Sequence, residues 1–366
     1  MKISDQEKNS LTTILLSRII LIAISIAATL FPTRTPSPGE TLWTATTPIA
    51  GRFARWDAGW YLYIAEHGYT KKLLYAFRPI YPTILNISQR LINGDPLETT
   101  AATGFLWNLI ALIAATIIIH RLTRHLYGEQ TAQHTVTLLA IYPSTVFLTA
   151  QYPEATYLLL TASTFYLLET NRYTYAAITA TLAGLTRPEA LLLTIPLLLR
   201  YIYIDRNPKL ITGATVTALT MPAFMLFTYL NGDDPLYLIT SQEEWNNIRI
   251  LNIIQPHPPE QTIFLIIGAA TMIIALTATL YEATRRINIG ESKTHYMIWA
   301  IMLLTVFILV GDIKSWTRYT LTIIPIHWSL AAITTKKNTV YAATIMIYTA
   351  IMTFGTIAYV NWYHFL

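Results

Sequence analysis

The chain has 366 residues, of which 53% are hydrophobic and only 12% charged. Soluble domains carry about 25% charged residues, so the deficit excludes an ordinary soluble protein and points to the bilayer. In such a chain a net charge of +5 is not a nucleic-acid signal, and the absence of cysteine excludes disulfides, thiol nucleophiles and thiolate metal sites.

The first apolar segment, 11–31, follows a short polar start and carries Arg18 within it. Its length and that arginine favour a retained first span over a cleaved signal, with Arg18 either snorkelling to the near interface or pairing inside the bundle. Further apolar segments fall at 98–120, 131–150, 154–169, 173–187, 190–205, 209–230, 262–282, 294–311, 318–334 and 339–360. The expected architecture is therefore an all-α, polytopic helix bundle of about eleven spans, one membrane domain over residues 1–366.

Short basic connections separate these segments at 121–125, 171–172, 200–209, 282–293 and 334–338. With the N-terminus in the cytoplasm, every one of them falls on the cytoplasmic side, as the positive-inside rule requires. This holds only if 75–93 does not cross. Pro79, Pro82, Arg78 and Arg90 agree with a short helix held on the outer side. The outer side, a cell exterior or an organelle lumen, then receives a long loop at 32–97, "AQYPEA" at 150–155, "TRPEA" at 186–190, a second long loop at 231–261 and "GDIKSWTRY" at 311–319.

Within the first outer loop, "RFARWDAGWYLYIAEHGY" at 52–69 sets an acid among aromatics. Read as a helix, it places Trp56, Trp60, Tyr63 and His67 on one stripe suited to an interfacial position. Asp57 and Tyr61 share the adjacent face. A short carboxylate flanked by tryptophans reaches bulk water with difficulty, which suits a general base, with Arg52 and Arg55 as candidate compensating charges. The competing reading is an aromatic belt with a solvated acid.

Glu154 and Glu189 each follow a proline, an arrangement equally common at ordinary helix starts. Arg187 and Arg318 sit near the outer boundary, where arginine grips phosphate bidentately or anchors to headgroups. His257 and His67 are single, and no metal spacing, phosphate-cradling glycine loop or Ser-His-Asp elbow is present in the sequence. The sequence implies neither a divalent metal nor another cofactor.

The blocks "RWDAGWYLYIAEHGY", "YAFRPIYP", "YPSTVFLTAQYPEATYLLL", "AGLTRPEALLL" and "SWTRYTLTIIPIHWSLA" occur in this order in the GPI mannosyltransferase 2 (PIG-V-type) family, which the chain resembles over about two thirds of its length. That family belongs to the GT-C superfamily of membrane glycosyltransferases, with amphipathic helices and an acid in the first outer loop. The resemblance implies a hexose, mannose first, moved from a dolichyl- or polyprenyl-phosphate donor to a glycolipid or glycan acceptor with inversion. Asp57 is then the general base. Arg318, with Arg187 or Arg78, is the implied holder of the leaving phosphate. Trp56, Tyr61, His67 and Glu154 become substrate-positioning residues. "TRPEA" departs from the family's usual sequence after the arginine, so the resemblance gives Glu189 no support as a site residue.

The main alternative is a transporter or lipid flippase. It calls for ionisable residues in mid-span and paired broken helices. The charges here cluster at span ends, with Arg18 the main exception, which favours the transferase. A non-catalytic subunit that kept the fold is a third reading, weakened by the retained Asp57.

Overall fold

Ser4 starts the first helix. Its hydroxyl accepts from the Glu7 amide at 3.2 Å and the Glu7 carboxylate accepts from the Ser4 amide at 2.8 Å, a reciprocal cap that launches Asp5–Ala27. In the computed structural model, which describes residues 3–36, 43–92, 94–241, 259–285, 288–310 and 312–363, no strand occurs among the described residues.

Six helices among the described residues are long and apolar enough to cross a membrane: Asp5–Leu30, Pro96–Tyr127, Pro208–Leu230, Thr262–Arg285, Ser292–Leu309 and Asn338–Val360. They answer to six of the eleven expected spans. The other five are shorter or broken helices: Glu129–Ala140, Glu154–Glu169, Tyr173–Gly184, Thr194–Tyr203, and the pair Trp316–Leu321 and Ile324–Thr334. Pro96–Tyr127 is the central packing element, lying against Glu154–Glu169, Glu129–Ala140 and Asp5–Ala27. Its inner face carries Ala101, Gly104, Ala111 and Ala115, buried small residues of the kind that let membrane helices approach closely.

The first long loop holds short helices, Ala50–Phe53, Ala58–His67 and Ile80–Gln89. The last rises only about 15 Å, half of a hydrocarbon core. Pro79 and Pro82 fall at its start and in its first turn, where a missing N–H costs nothing. The second long loop is described only to Ser241 and from Pro259; residues 242–258, His257 among them, lie outside the described residues.

The basic connections gather at one end. Arg121 binds Glu7 at 2.6 Å, and His125 lies 3.7 Å from Glu169. Arg200 donates to Asn171 at 2.9 Å and to Ser292 at 2.8 Å. His134 stacks on Tyr341 at 3.7 Å, just beyond the 334–338 connection. Connections distant in sequence thus share a face, which is the arrangement the charge rule demands.

At the opposite end several helices stop short, because prolines interrupt them. Glu129–Ala140 ends before Pro143, and a short 3-10 turn, Thr145–Leu148, leads to Pro153 and the next helix. Freed carbonyls cannot be left bare away from water. Arg18, 3% exposed, supplies the donors: to the carbonyls of Ala140 at 2.8 Å and Thr145 at 2.9 Å, and to the hydroxyls of Thr145 at 2.8 Å and Thr149 at 2.9 Å. Of the two fates expected for Arg18, the structure shows the one inside the bundle, with backbone and hydroxyls as partners rather than an acid. Gln151 then reaches the carbonyls of Ala50 at 3.1 Å and Ala101 at 2.7 Å, and Asn108 that of Tyr152 at 3.1 Å.

Replacing Arg18 by leucine leaves these buried acceptors without donors. At about 1–3 kcal/mol for each unsatisfied group, thermal unfolding in detergent is expected to drop by several degrees, with Arg18→Lys recovering part of the loss. Equal melting temperatures for leucine variant and parent would remove Arg18 from this role.

Candidate active site

Trp56 turns the chain. Its φ of +59° is rare for a bulky residue, and the helix begins only at Ala58, with Asp57 as the residue before it. The helix therefore does not run through Trp56 as the spacing suggested, and the aromatic stripe starts at Trp60. Released from the helix, the Asp57 side chain meets Arg318, whose Nη1 donates to Oδ2 at 2.9 Å. A quarter of the Asp57 side chain stays exposed.

Arg318 comes from Trp316–Leu321, a short helix tied to the unwound 141–153 stretch through the Ser144 hydroxyl, which donates to the Thr317 carbonyl at 2.7 Å. Its guanidinium lies 5.5 Å from the Tyr152 ring and 5.6 Å from those of Phe147 and Tyr319. Arg318 Nε also approaches Glu154 Oε1 at 3.5 Å. The same Glu154 oxygen accepts from Arg187 Nη1, and Arg187 Nε donates to Glu189. Asp57, Arg318, Glu154, Arg187 and Glu189 thus form one chain of alternating charge. Glu154 is wholly buried, and one of its oxygens, Oε2, has no hydrogen-bond partner among the described residues.

Tyr61 stands beside this chain. It is buried against Phe77, Tyr81 and Tyr152. Burial, and then the charges of Glu154 and Asp57, push its phenol well above the usual range, so it stays neutral as a hydrogen-bonding group.

Arg78 is the arginine without a carboxylate. It is 2% exposed and lies 4.7 Å from the Phe224 ring. Its Nε and Nη1 have no hydrogen-bond partner among the described residues. Burial lowers its pKa to about 10 against the upward pull of Tyr69 and Glu189. The Ile80 amide donates to the Leu185 carbonyl at 3.1 Å, which docks this segment beside the one that carries Arg187.

Of the residues the sequence singled out, Asp57, Glu154, Arg187, Arg318 and Tyr61 come together, Arg78 adjoins them through Glu189, and Glu189 itself joins the chain. Trp56 packs against Trp362 at 5.5 Å. His67 is exposed, its ring against Trp43 and Tyr63, each at 4.7 Å, so the structure does not bring it to the cluster. Arg52 and Arg55 do not compensate Asp57 as the sequence suggested; they bind the carbonyls of Pro48 and Gly51, and Arg318 takes that place. Sequence reasoning passed over Tyr152, Gln151, Ser144 and Asn108, although a lone asparagine within an apolar span is a visible signal. Among the described residues no group of three or more metal-ligating side chains converges.

A family profile described as Mannosyltransferase (PIG-V) matches residues 9–203, more than half of the chain. The chain belongs to the PIG-V mannosyltransferase family. The mouse GPI alpha-1,6-mannosyltransferase 2 is 33% identical to this family member over 132 residues, 34% of this chain and 26% of the mouse protein. GPI mannosyltransferase 2 of Cryptococcus neoformans is 32% identical over 167 residues, 43% of this chain and 37% of that protein. The alignment thus spans well under half of these relatives. The oligosaccharyltransferase of Archaeoglobus fulgidus superposes on 96% of the PIG-V family member with a TM-score of 0.54 at 15% identity, over 53% of its own length. That likeness shows a shared GT-C fold.

Glu154→Gln removes the charge on which two arginines converge. Breaking a buried ion pair from one side costs about 3–5 kcal/mol, so the variant is expected to melt far below the parent in detergent. Asp5→Asn, at an exposed pair with Lys8, serves as control; equal melting of the two variants contradicts a structural role for Glu154.

Proposed function

We propose that this protein transfers a hexose, with mannose the sugar its family name supplies, from a dolichyl- or polyprenyl-phosphate donor to a hydroxyl of a glycolipid or glycan acceptor. The observation that carries this reading is the placement of Asp57. It is the partly exposed end of a buried charge chain, in a family of mannosyltransferases, with an uncompensated arginine close to the other end.

Asp57 accepts the proton of the acceptor hydroxyl as its oxygen attacks the anomeric carbon. The bond from that carbon to the donor phosphate breaks, and the phosphate leaves with the electron pair as the lipid monophosphate. Attack opposite the leaving group inverts the anomeric centre. A phosphate leaves without protonation, so one carboxylate is enough and the glycosidase pair is not needed. Arg318 orients Asp57, and Glu154 holds Arg318 in turn.

Among the three candidate phosphate holders, Arg187 and Arg318 already face carboxylates. Arg78 has the spare donors, two buried nitrogens that a phosphate would satisfy, and charge-assisted contacts of this kind stabilise the departing anion. Trp56 and Tyr61 bound the space next to the base. With the basic connections grouped at one end and this cluster at the other, the reaction is assigned to the exterior or lumenal face and the N-terminus to the cytoplasm.

The purified protein, offered polyprenyl-phosphate mannose and a membrane glycolipid extract, is expected to transfer label. Asp57→Asn should lose about 10²–10⁴-fold in rate while melting near the parent temperature; full activity in that variant sinks the assignment of the base. Arg78→Gln should raise the donor KM with little change in the acceptor KM, and an unchanged donor dependence would take Arg78 out of the phosphate site.

A further inference from the structure

Behind Asp57 in the chain, on the far side of the Trp56 turn, lies a cavity of about 360 Å³ lined by residues 44–48, Gly51, Arg52, Arg55 and Trp362. Its volume falls within the roughly 300–1,000 Å³ of small-ligand pockets. Its existence depends on a close approach: a Cβ at Gly51 would stand 2.5 Å from the Ala45 carbonyl oxygen, so only glycine lets the 44–48 segment fold over the Ala50–Phe53 helix.

The charge of this cavity is one-sided. Two guanidiniums line it, and no carboxylate does among the described residues. The acid bonded to the cavity wall, Glu98 of the Pro96–Tyr127 helix, has its carboxylate occupied. It accepts from the amide and hydroxyl of Thr46, both at 2.6 Å, and from those of Thr47, both at 2.8 Å. Arg52 spends Nε and Nη1 on the carbonyls of Pro48 and Ser25. Arg55 gives Nη1 to the Gly51 carbonyl at 2.6 Å and lies 5.0 Å from the Trp362 ring. Its Nε is buried with no hydrogen-bond partner among the described residues. A third cation, Arg34, donates to the carbonyl of the lining residue Trp362 at 2.6 Å. Burial pushes Arg55 below its ordinary pKa, and Arg52 adds to that push. Like charges held together in a concave, partly dry site are stabilised by an anion.

We propose that this cavity binds the phosphodiester of the acceptor lipid, with Arg55 and Arg52 on its oxyanion and Trp362 against the attached polyol. This goes beyond the transfer reaction but rests on that reading for the lipid's role as acceptor. The donor phosphate, at Arg78, and the acceptor phosphodiester are then held at separate sites. Arg55 and Asp57 are two residues apart with the turn at Trp56 between them, so an acceptor anchored by its phosphodiester at the first has to extend its glycan past that turn to the second.

The test is equilibrium binding of dihexanoyl phosphatidylinositol, a short-chain lipid with a phosphodiester-linked polyol, to the full chain in neutral maltoside detergent. Binding is expected to weaken with salt, to be competed by glycerol phosphate and not by inositol, and to fall roughly tenfold in Arg55→Gln. It should persist in Asp57→Asn and Arg78→Gln, so a failure of the transfer chemistry leaves this readout intact. If Arg55→Gln does not fold, the salt dependence and the competition in the parent protein still decide. Binding unchanged in a folded Arg55→Gln, or competed equally by inositol, overturns the site. Equal competition by dihexanoyl phosphatidylglycerol assigns the cavity to bulk anionic lipid and overturns the acceptor.

Discussion

The buried carboxylate of Glu154 is the constraint on which the end of the bundle opposite the basic connections depends. A charge without exposed surface persists only when it is paired, and Glu154 is paired twice, to guanidiniums from two other segments. Because Arg318 extends the chain to Asp57, one carboxylate fixes the relative positions of residues 57, 154, 187 and 318. Ion pairs of this depth add little net stability over apolar packing. What they impose is registry: an arrangement with any member displaced leaves a bare charge behind.

Such registry needs backbone that is not helical. Asp57, Arg187 and Arg318 sit at or beside points where prolines, 3-10 turns or a left-handed residue stop the helices, so side chains from several elements can converge. Helix interruption within a membrane protein exposes polar groups, and buried polar side chains of the long helices and of the unwound stretch itself answer that exposure. Arg18, Asn108 and Gln151 each donate to carbonyls of other segments. The apolar majority of the chain thus builds the walls, and a few polar residues within the spans hold the irregular end in shape.

This division explains what was legible in the sequence. Apolar length and the placement of basic connections follow from single-residue physics, and the long helices and the grouping of the connections at one end were readable from them. So was the short helix that Pro79 and Pro82 begin. Asp57 was visible because an acid among tryptophans is anomalous in any conformation. The partner of Asp57 was not visible. Arg52 and Arg55 lie nearest in sequence, yet Arg318, 261 residues away, holds it, because the left-handed turn at Trp56 separates the neighbours from the acid. The pairing of Glu189 with Arg187 was not visible either, because it depends on the local geometry that follows Arg187 and not on residue type. His67 shows the converse, a residue on the right stripe whose helix carries it away to stack on Trp43 and Tyr63.

One consequence of the alternating chain concerns timing. Its three carboxylates, Asp57, Glu154 and Glu189, outnumber its two guanidiniums, Arg318 and Arg187, and only Arg78, which bonds to none of them, brings the formal charges level. In the proposed reaction, proton capture at Asp57 leaves the cluster with one positive charge in excess. That excess arises as the donor phosphate acquires its second negative charge. Under that proposal the field favouring departure grows as the hydroxyl gives up its proton, and a donor bound without an acceptor meets only the standing pull of Arg78.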